Sequence, residues 1–137
     1  MYYIRITMKN NILKLIIYLY YSSLVVLFII YLFPGSIIGY FLYGDMNKQP
    51  SLINNPIGVS INHFFYFFYL TLLGLIYSQN KKKFINSFLF LFVLAIFLEL
   101  LHFFVPNRTF ELNDLISNTM GILIIFFSSK LIRKFTL

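Results

Sequence analysis

The sequence predicts an all-α integral membrane protein, a four-helix bundle whose two termini both lie on the cytoplasmic side. Of the 137 residues, 60% are hydrophobic and only 11% are charged, and the mean hydropathy is +0.82. A soluble domain typically has about 25% charged residues. Apolar runs of the length that a helix needs to cross a bilayer, about 20 residues, recur between short polar segments. We therefore expect a single transmembrane domain over residues 1–137.

The first predicted span covers residues 12–33. No charged residue occurs from Leu15 to Tyr43, and Pro34 with the following glycine ends the first apolar run. The basic residues ahead of this run resemble the start of a signal peptide. However, the apolar core is too long and no small-residue cleavage site follows, so we expect an uncleaved span.

Three further spans are predicted at residues 61–78, 84–105 and 114–132. The connection over 34–60 is rich in turn-forming residues, and its aromatic segment 37–43 is expected to lie along the membrane interface. A charged turn separates the second and third spans, and a short polar loop separates the third and fourth. Because short loops join antiparallel neighbours, we expect the third and fourth spans to pack against each other.

Basic residues predict the orientation of these spans. Nine of the eleven lie in three groups, and an even number of spans places all three groups on one side of the membrane. Cytoplasmic segments carry an excess of Lys and Arg, so the groups should be cytoplasmic. They are Arg5, Lys9 and Lys14; Lys81, Lys82 and Lys83; and Lys130, Arg133 and Lys134.

A polar series in this apolar sequence predicts the functional site. Ionisable groups are costly in a bilayer and usually face a protein interior or a watery cavity. The predicted topology brings the series to the outer leaflet, where Glu99 lies about 10 Å below Pro106 at the rise of a helix. We expect the side chains to share one pocket, with candidate catalytic residues Glu99, His102 and Asp114 and candidate binding residues His63, Arg108 and Asn118.

The spacing within the series supports this interpretation. Glu99 and His102 are separated by three residues and share a helix face. Asp114, Asn118 and Gly121 form one stripe, in which the glycine allows another helix to approach closely. At its depth Glu99 must be protonated, paired or hydrated, and Arg108 or His102 is its natural partner.

Each of these residues also has a purely structural interpretation. Asp114 could serve only as a helix N-cap, with Asn113 as the rival cap. Asn118 could hydrogen-bond between helices, and Arg108 could anchor to lipid phosphate. His63, near the headgroups, could be an ordinary hydrogen-bonded polar residue.

The sequence predicts no metal and no other cofactor. The chain has no cysteine, which excludes disulfides and thiolate metal sites. Glu99-x-x-His102 is half of a di-iron carboxylate motif, but no second copy exists. A single-metal site built from His63, Glu99, His102 and Asp114 remains chemically possible. Ser117 is not expected to act as a nucleophile, because no base shares its helix face.

The same residues resemble the VanZ-like family. Glu99-Leu-Leu-His102-Phe-Phe-Val-Pro106-Asn-Arg108, followed by Asp114-x-x-x-Asn118-x-x-Gly121, is similar to that family's Glu, Gln three residues later, Pro-x-Arg and Asp-x-x-x-Asn-x-x-Gly. Asn62-His63-Phe64 resembles the His-Phe that opens an earlier span. The resemblance covers about residues 61–126. It departs at His102, where Gln is usual, and at Val59-Ser60, where many members carry Asp-Lys.

This resemblance implies a multi-pass protein of the bacterial cytoplasmic membrane, since the family is bacterial and named for a teicoplanin-resistance protein. We expect an envelope protein that affects glycopeptide tolerance or the handling of surface lipids or polysaccharides. One alternative is an enzyme acting on a lipid-linked phosphate or glycan, with Arg108 binding the anion and Glu99 or His102 as acid or base. Another is a non-catalytic accessory subunit whose polar cluster locks helix packing.

The expected partners are membrane lipids and a lipid-linked cell-wall or polysaccharide intermediate. The net charge of +7 does not indicate nucleic acid, because the basic residues adjoin apolar runs and suit anionic headgroups.

Overall fold

The computed structural model describes residues 2–48, 60–78 and 81–135, and within these ranges the chain is helical with no strand. The predicted all-α class is confirmed. The turn residues predicted between positions 50 and 58, together with Val59, lie outside the described residues. The helices in chain order are α1 (Tyr2–Leu32), α2 (Ile37–Tyr43), α3 (Ile61–Tyr77), α4 (Lys81–Leu101) and α5 (Leu112–Phe135).

The helices differ from the predicted spans most at the start of α1, which begins at Tyr2 rather than at residue 12, and also at the two ends that border the 102–111 loop. Helix α4 ends at Leu101, four residues before the predicted end of the third span. A tight turn takes over there, in which the His102 amide donates to the Glu99 carbonyl oxygen at 3.2 Å. Pro106 disfavours helical backbone just before it. Helix α5 begins at Leu112, two residues earlier than expected.

The aromatic segment predicted along the interface forms the short helix α2. The Ser36 hydroxyl caps its start by accepting from the Gly39 amide at 2.9 Å, as N-cap serines do. Gly44 ends it with φ +68°, the left-handed conformation that favours glycine. The chain then folds back, so that the Ser36 amide donates to the Met46 carbonyl oxygen at 2.7 Å. Helix α2 presents exposed aromatic side chains at positions 40, 41 and 43.

Helix α3 is central to the packing and contacts α1, α4 and α5. Its most extensive interface is with α5. The third and fourth predicted spans, α4 and α5, do pack together as expected, but less extensively than α3 and α5. Gly121 explains the closeness, because a β-carbon there would come within 2.9 Å of the Phe68 backbone nitrogen and closer still to the Phe64 carbonyl oxygen.

The long helices alternate in direction. Tyr20, in the middle of α1, bonds Ser87 near the start of α4 and packs on Tyr77 at the end of α3. Tyr31, at the end of α1, instead meets the first turns of α3 and α5. The ends of α1 and α4 therefore lie beside the starts of α3 and α5, and this is where the site is found.

Apolar side chains cover the outside of the molecule as well as its core. Asn11–Leu32 and Leu112–Leu131 are long and apolar enough to cross a membrane, and most of each lies outside the protein interior. Ile61–Tyr77 and Ile85–Leu101 are shorter apolar helices. Val25, Val93 and Phe127 are each more than half exposed. The core helices of a soluble protein are mostly buried, so this exposed apolar surface is consistent with a membrane protein.

Candidate functional site

The polar residues predicted to form the site come together where α1 and α4 end and α3 and α5 begin. Glu99 and Asn118 are completely buried, His102 is 2% exposed and Asp114 is 4% exposed. His63 and Arg108 are partly exposed at the edge. Tyr31 and Ser60 join all of these residues except Arg108 in one connected set of hydrogen bonds and a His63–Asp114 contact. This set is here called the polar cluster: Tyr31, Ser60, His63, Glu99, His102, Asp114 and Asn118.

Tyr31 connects more members of the polar cluster than any other described residue. Its hydroxyl donates to Asn118 Oδ1 at 3.0 Å and lies 2.9 Å from His63 Nδ1. Since the tyrosine proton goes to the asparagine, His63 Nδ1 is the donor of the second bond. The Tyr31 ring stacks on the His102 ring with centroids 5.3 Å apart. One side chain thus ties α1 to α3, to α5 and to the turn after α4.

The hydrogen-bond partners of Glu99 and His102 determine how many protons this pair of side chains carries. His102 Nε2 lies 3.2 Å from the Tyr31 carbonyl oxygen, which only accepts, so Nε2 carries a proton. His102 Nδ1 lies 3.2 Å from Glu99 Oε1, and one further proton makes that bond. Whether this proton resides on the imidazole or on the carboxyl, the pair as a whole is neutral. The pair therefore avoids the large cost of burying an uncompensated charge.

Asp114 is held by the start of α3 rather than by its own helix. It accepts a short hydrogen bond from the Ser60 hydroxyl, and its Oδ2 lies 3.6 Å from His63 Nδ1. Because α5 begins at Leu112, the interpretation of Asp114 as the N-cap is wrong.

Ser117 also joins the start of α3 to the start of α5. Its hydroxyl accepts from the Ser60 amide at 3.0 Å and donates to the Asn113 carbonyl oxygen at 2.6 Å. Because its proton is given to a backbone carbonyl, the hydroxyl is not paired with a base that could activate it as a nucleophile.

Arg108 caps helix α1. Its Nε and Nη2 donate to the carbonyl oxygens of Phe33 and Ile30 at 3.4 and 3.2 Å. The last carbonyls of a helix lack partners within it and carry the negative end of the helix dipole. Of the two partners suggested for Glu99, the described structure supplies His102 rather than Arg108. Burial lowers the pKa of Arg108, while nearby acidic groups act in the opposite direction.

Sequence reasoning missed three contributors to the site. Tyr31 is one of eleven tyrosines, and no spacing singled it out. Ser60 drew notice only as a departure from the family pattern. The Glu111 amide donates to Glu99 Oε1 at 3.1 Å, and burial together with Asp114 and Glu99 raises the pKa of the Glu111 carboxyl. The sequence feature that could have indicated Glu111 is its position in a polar loop, three residues before Asp114.

Three members of the polar cluster could hold a metal ion. One ligand atom each of His63, Glu99 and Asp114 all lie within 4.8 Å of one another. His102 is not one of these three residues, and its ring nitrogens lie within hydrogen-bond distance of Glu99 and of the Tyr31 carbonyl oxygen.

Comparison with known proteins identifies a family for the chain. The family model described as VanZ/LLP1 matches residues 15–133, a wider region than the residues 61–126 that carry the motif resemblance. No curated protein and no solved structure gives a match.

Proposed function

The chain belongs to the VanZ/LLP1 family, and from this we propose that it is a multi-pass protein of the bacterial cytoplasmic membrane that handles the polar headgroup of an envelope lipid. Its polar cluster lies near the outer leaflet. Through it the protein affects glycopeptide tolerance or the handling of surface lipids or polysaccharides.

Four spans in a helical bundle with cytoplasmic termini form the first part of the proposal. The two shorter apolar helices, Ile61–Tyr77 and Ile85–Leu101, are at the lower limit of about 17 residues for a span. Both pack beside the two longer ones, and α4 and α3 expose apolar faces of their own. The three basic groups in the sequence support the inward orientation of the termini.

The observation that carries the functional proposal is the gathering of ionisable side chains from separate helices at one end of the protein. Buried Glu99, His102 and Asp114 lie behind the partly exposed His63. Polar groups inside a membrane protein usually mark a functional pathway or binding site. With the termini in the cytoplasm, this end faces outward.

Arg108 suits an anionic headgroup at the mouth of the cluster. Its guanidinium has five N–H donors, and two go to carbonyl oxygens of α1. The remaining donors can bind phosphate oxygens with the planar geometry that arginine offers.

The enzyme alternative has less support. His102 uses both ring nitrogens, and the Ser117 proton is given to its own helix. In the accessory-subunit alternative, the polar cluster serves helix packing alone. Substitution of Glu99 distinguishes this alternative from the proposed function.

The test compares Glu99→Gln with the matched control Glu111→Gln. Glutamine keeps the shape of Glu99, but it cannot ionise or release a proton. We expect Glu99→Gln to abolish the contribution to glycopeptide tolerance or surface-lipid composition at normal membrane abundance. Glu111 has an exposed side chain, so Glu111→Gln should resemble the wild type.

Two results would count against this function. A normal phenotype at normal abundance in Glu99→Gln would show that the function does not need the ionisable group of Glu99. A phenotype lost only in proportion to protein abundance would favour the accessory subunit, in which the cluster serves helix packing alone.

A further inference from the structure

We propose that His63, Glu99 and Asp114 bind one divalent transition-metal ion, of the class of Zn²⁺ or Mn²⁺. One imidazole nitrogen and one oxygen from each carboxylate lie within 4.8 Å of one another. Imidazole and carboxylate ligands suit these ions, and three protein ligands leave a position open for water or a substrate oxygen. This inference goes beyond the function proposed above and does not depend on membrane orientation.

An unsatisfied oxygen at Glu99 points independently to a ligand. The Glu99 side chain is fully buried. Its Oε1 shares a hydrogen bond with His102 Nδ1 and accepts one from the Glu111 amide, while within the described part of the chain Oε2 has no hydrogen-bond partner. Buried polar atoms without a partner are rare, because each loses its hydration without compensation. A metal ion at this position would satisfy Oε2.

Each proposed ligand is also held in place by a neighbouring group. His102 orients Glu99, and the Ser60 hydroxyl orients Asp114. The Tyr31 hydroxyl accepts from His63 Nδ1, which leaves Nε2 as the nitrogen with a lone pair for the ion. Metal ligands characteristically have such outer partners, which fix the orientation and protonation of the ligand. In this arrangement His102 is a positioning residue rather than a ligand.

Charge favours a cation at this point. A divalent ion placed between the Glu99 and Asp114 carboxyl groups would be attracted by both carboxylates. Arg108 is directed to backbone carbonyls instead of these carboxylates. His63, whose side chain is 17% exposed, lies on the side from which an ion can enter.

Metal retention by the purified full-length protein tests the proposal. The protein carries an affinity tag without histidine, is stripped with a chelator in detergent, and is loaded separately with Zn²⁺ and Mn²⁺ before gel filtration. We expect the wild type to retain about one ion per chain for at least one metal, as a three-ligand site requires. His63→Gln, Glu99→Gln and Asp114→Asn should each weaken binding by more than about tenfold, and Glu111→Gln should bind like the wild type.

Two measurements keep the test decisive where a variant folds poorly. The wild type alone should unfold at a higher temperature with the bound metal than after chelation. In His102→Gln, the absorption spectrum of bound Co²⁺ should be retained while affinity falls about 10- to 100-fold. No metal retained by the wild type, or equal retention by Glu99→Gln and Glu111→Gln, would overturn the proposal.

Discussion

At the scale of single residues, the tyrosine at the end of α1 determines how the polar cluster is connected. The Tyr31 hydroxyl bonds both His63 and Asn118, and its backbone oxygen lies within hydrogen-bond distance of His102. The side chain is 5% exposed, so water does not readily replace these bonds. The three partners come from three different parts of the chain, and the hydroxyl holds two of them in register.

Tyr31→Phe should therefore destabilise the protein although it changes a single atom. Removal of the hydroxyl leaves buried polar atoms of Asn118 and His63 without their partner, at a cost of about 1–3 kcal/mol. Thermal unfolding of the purified protein in detergent measures the effect. Tyr18→Phe is the matched control, since Tyr18 is 72% exposed and should tolerate the change. Equal stability of the two variants would contradict the central position of Tyr31.

The sequence could predict part of this site because some of its geometry is local. Glu99 and His102 are three residues apart, and their side chains do bond. The role of Arg108 could not be predicted in the same way. Its acceptors, the carbonyls of Ile30 and Phe33, depend on where α1 ends relative to a loop more than 70 residues later in the chain.

At the scale of helices, the close approach of α5 to α3 builds the interface that carries the site. Gly121 lies one turn beyond Asn118, against the backbone of Phe64 and Phe68. Small residues at such positions allow helices to pack closely in a membrane, where no hydrophobic force drives them together. This packing keeps Asp114 at hydrogen-bond distance from Ser60.

Gly121→Ala should separate these helices. Alanine normally favours a helix over glycine, but here the added methyl group meets backbone atoms that cannot rotate away. Overpacking of this kind costs about 1–3 kcal/mol, so we expect a lower unfolding temperature. Ser128→Ala, at an exposed position of the same helix, is the control and should have little effect. If Gly121→Ala instead stabilised the protein, the close α3–α5 contact would be incorrect.

Hydropathy predicted the long helices but not how they are paired. The short 102–111 loop led to the expectation that α4 and α5 are neighbours, and they do touch. The larger interface of α5 is with α3, because neighbour choice depends on which helix faces fit. Gly121 signalled a close contact, although the sequence alone does not name the partner helix.

At the scale of the whole molecule, the polar cluster and the basic groups lie toward opposite ends of the helices. The polar cluster occupies one end, while the three basic groups in the sequence fall in the first half of α1, at the start of α4 and near the end of α5, which lie toward the other end. By the positive-inside rule, the orientation proposed here would put the polar cluster on the outer side. The sequence alone was sufficient to predict this orientation, because the positive-inside rule requires only the order of apolar and basic segments.

Accessibility of single cysteines in intact cells tests the central claim, an outward polar cluster in a membrane-spanning protein, most directly. The natural chain has no cysteine, so each introduced thiol reports alone. A membrane-impermeant maleimide should label Thr109→Cys in intact cells, label Lys83→Cys only after permeabilisation, and label Val25→Cys only after denaturation. Thr109 in the 102–111 loop and Lys83 in the first turn of α4 are both exposed, and Val25 lies on the apolar surface of α1. Labelling of Lys83→Cys but not Thr109→Cys in intact cells would place the polar cluster on the cytoplasmic side and contradict the account.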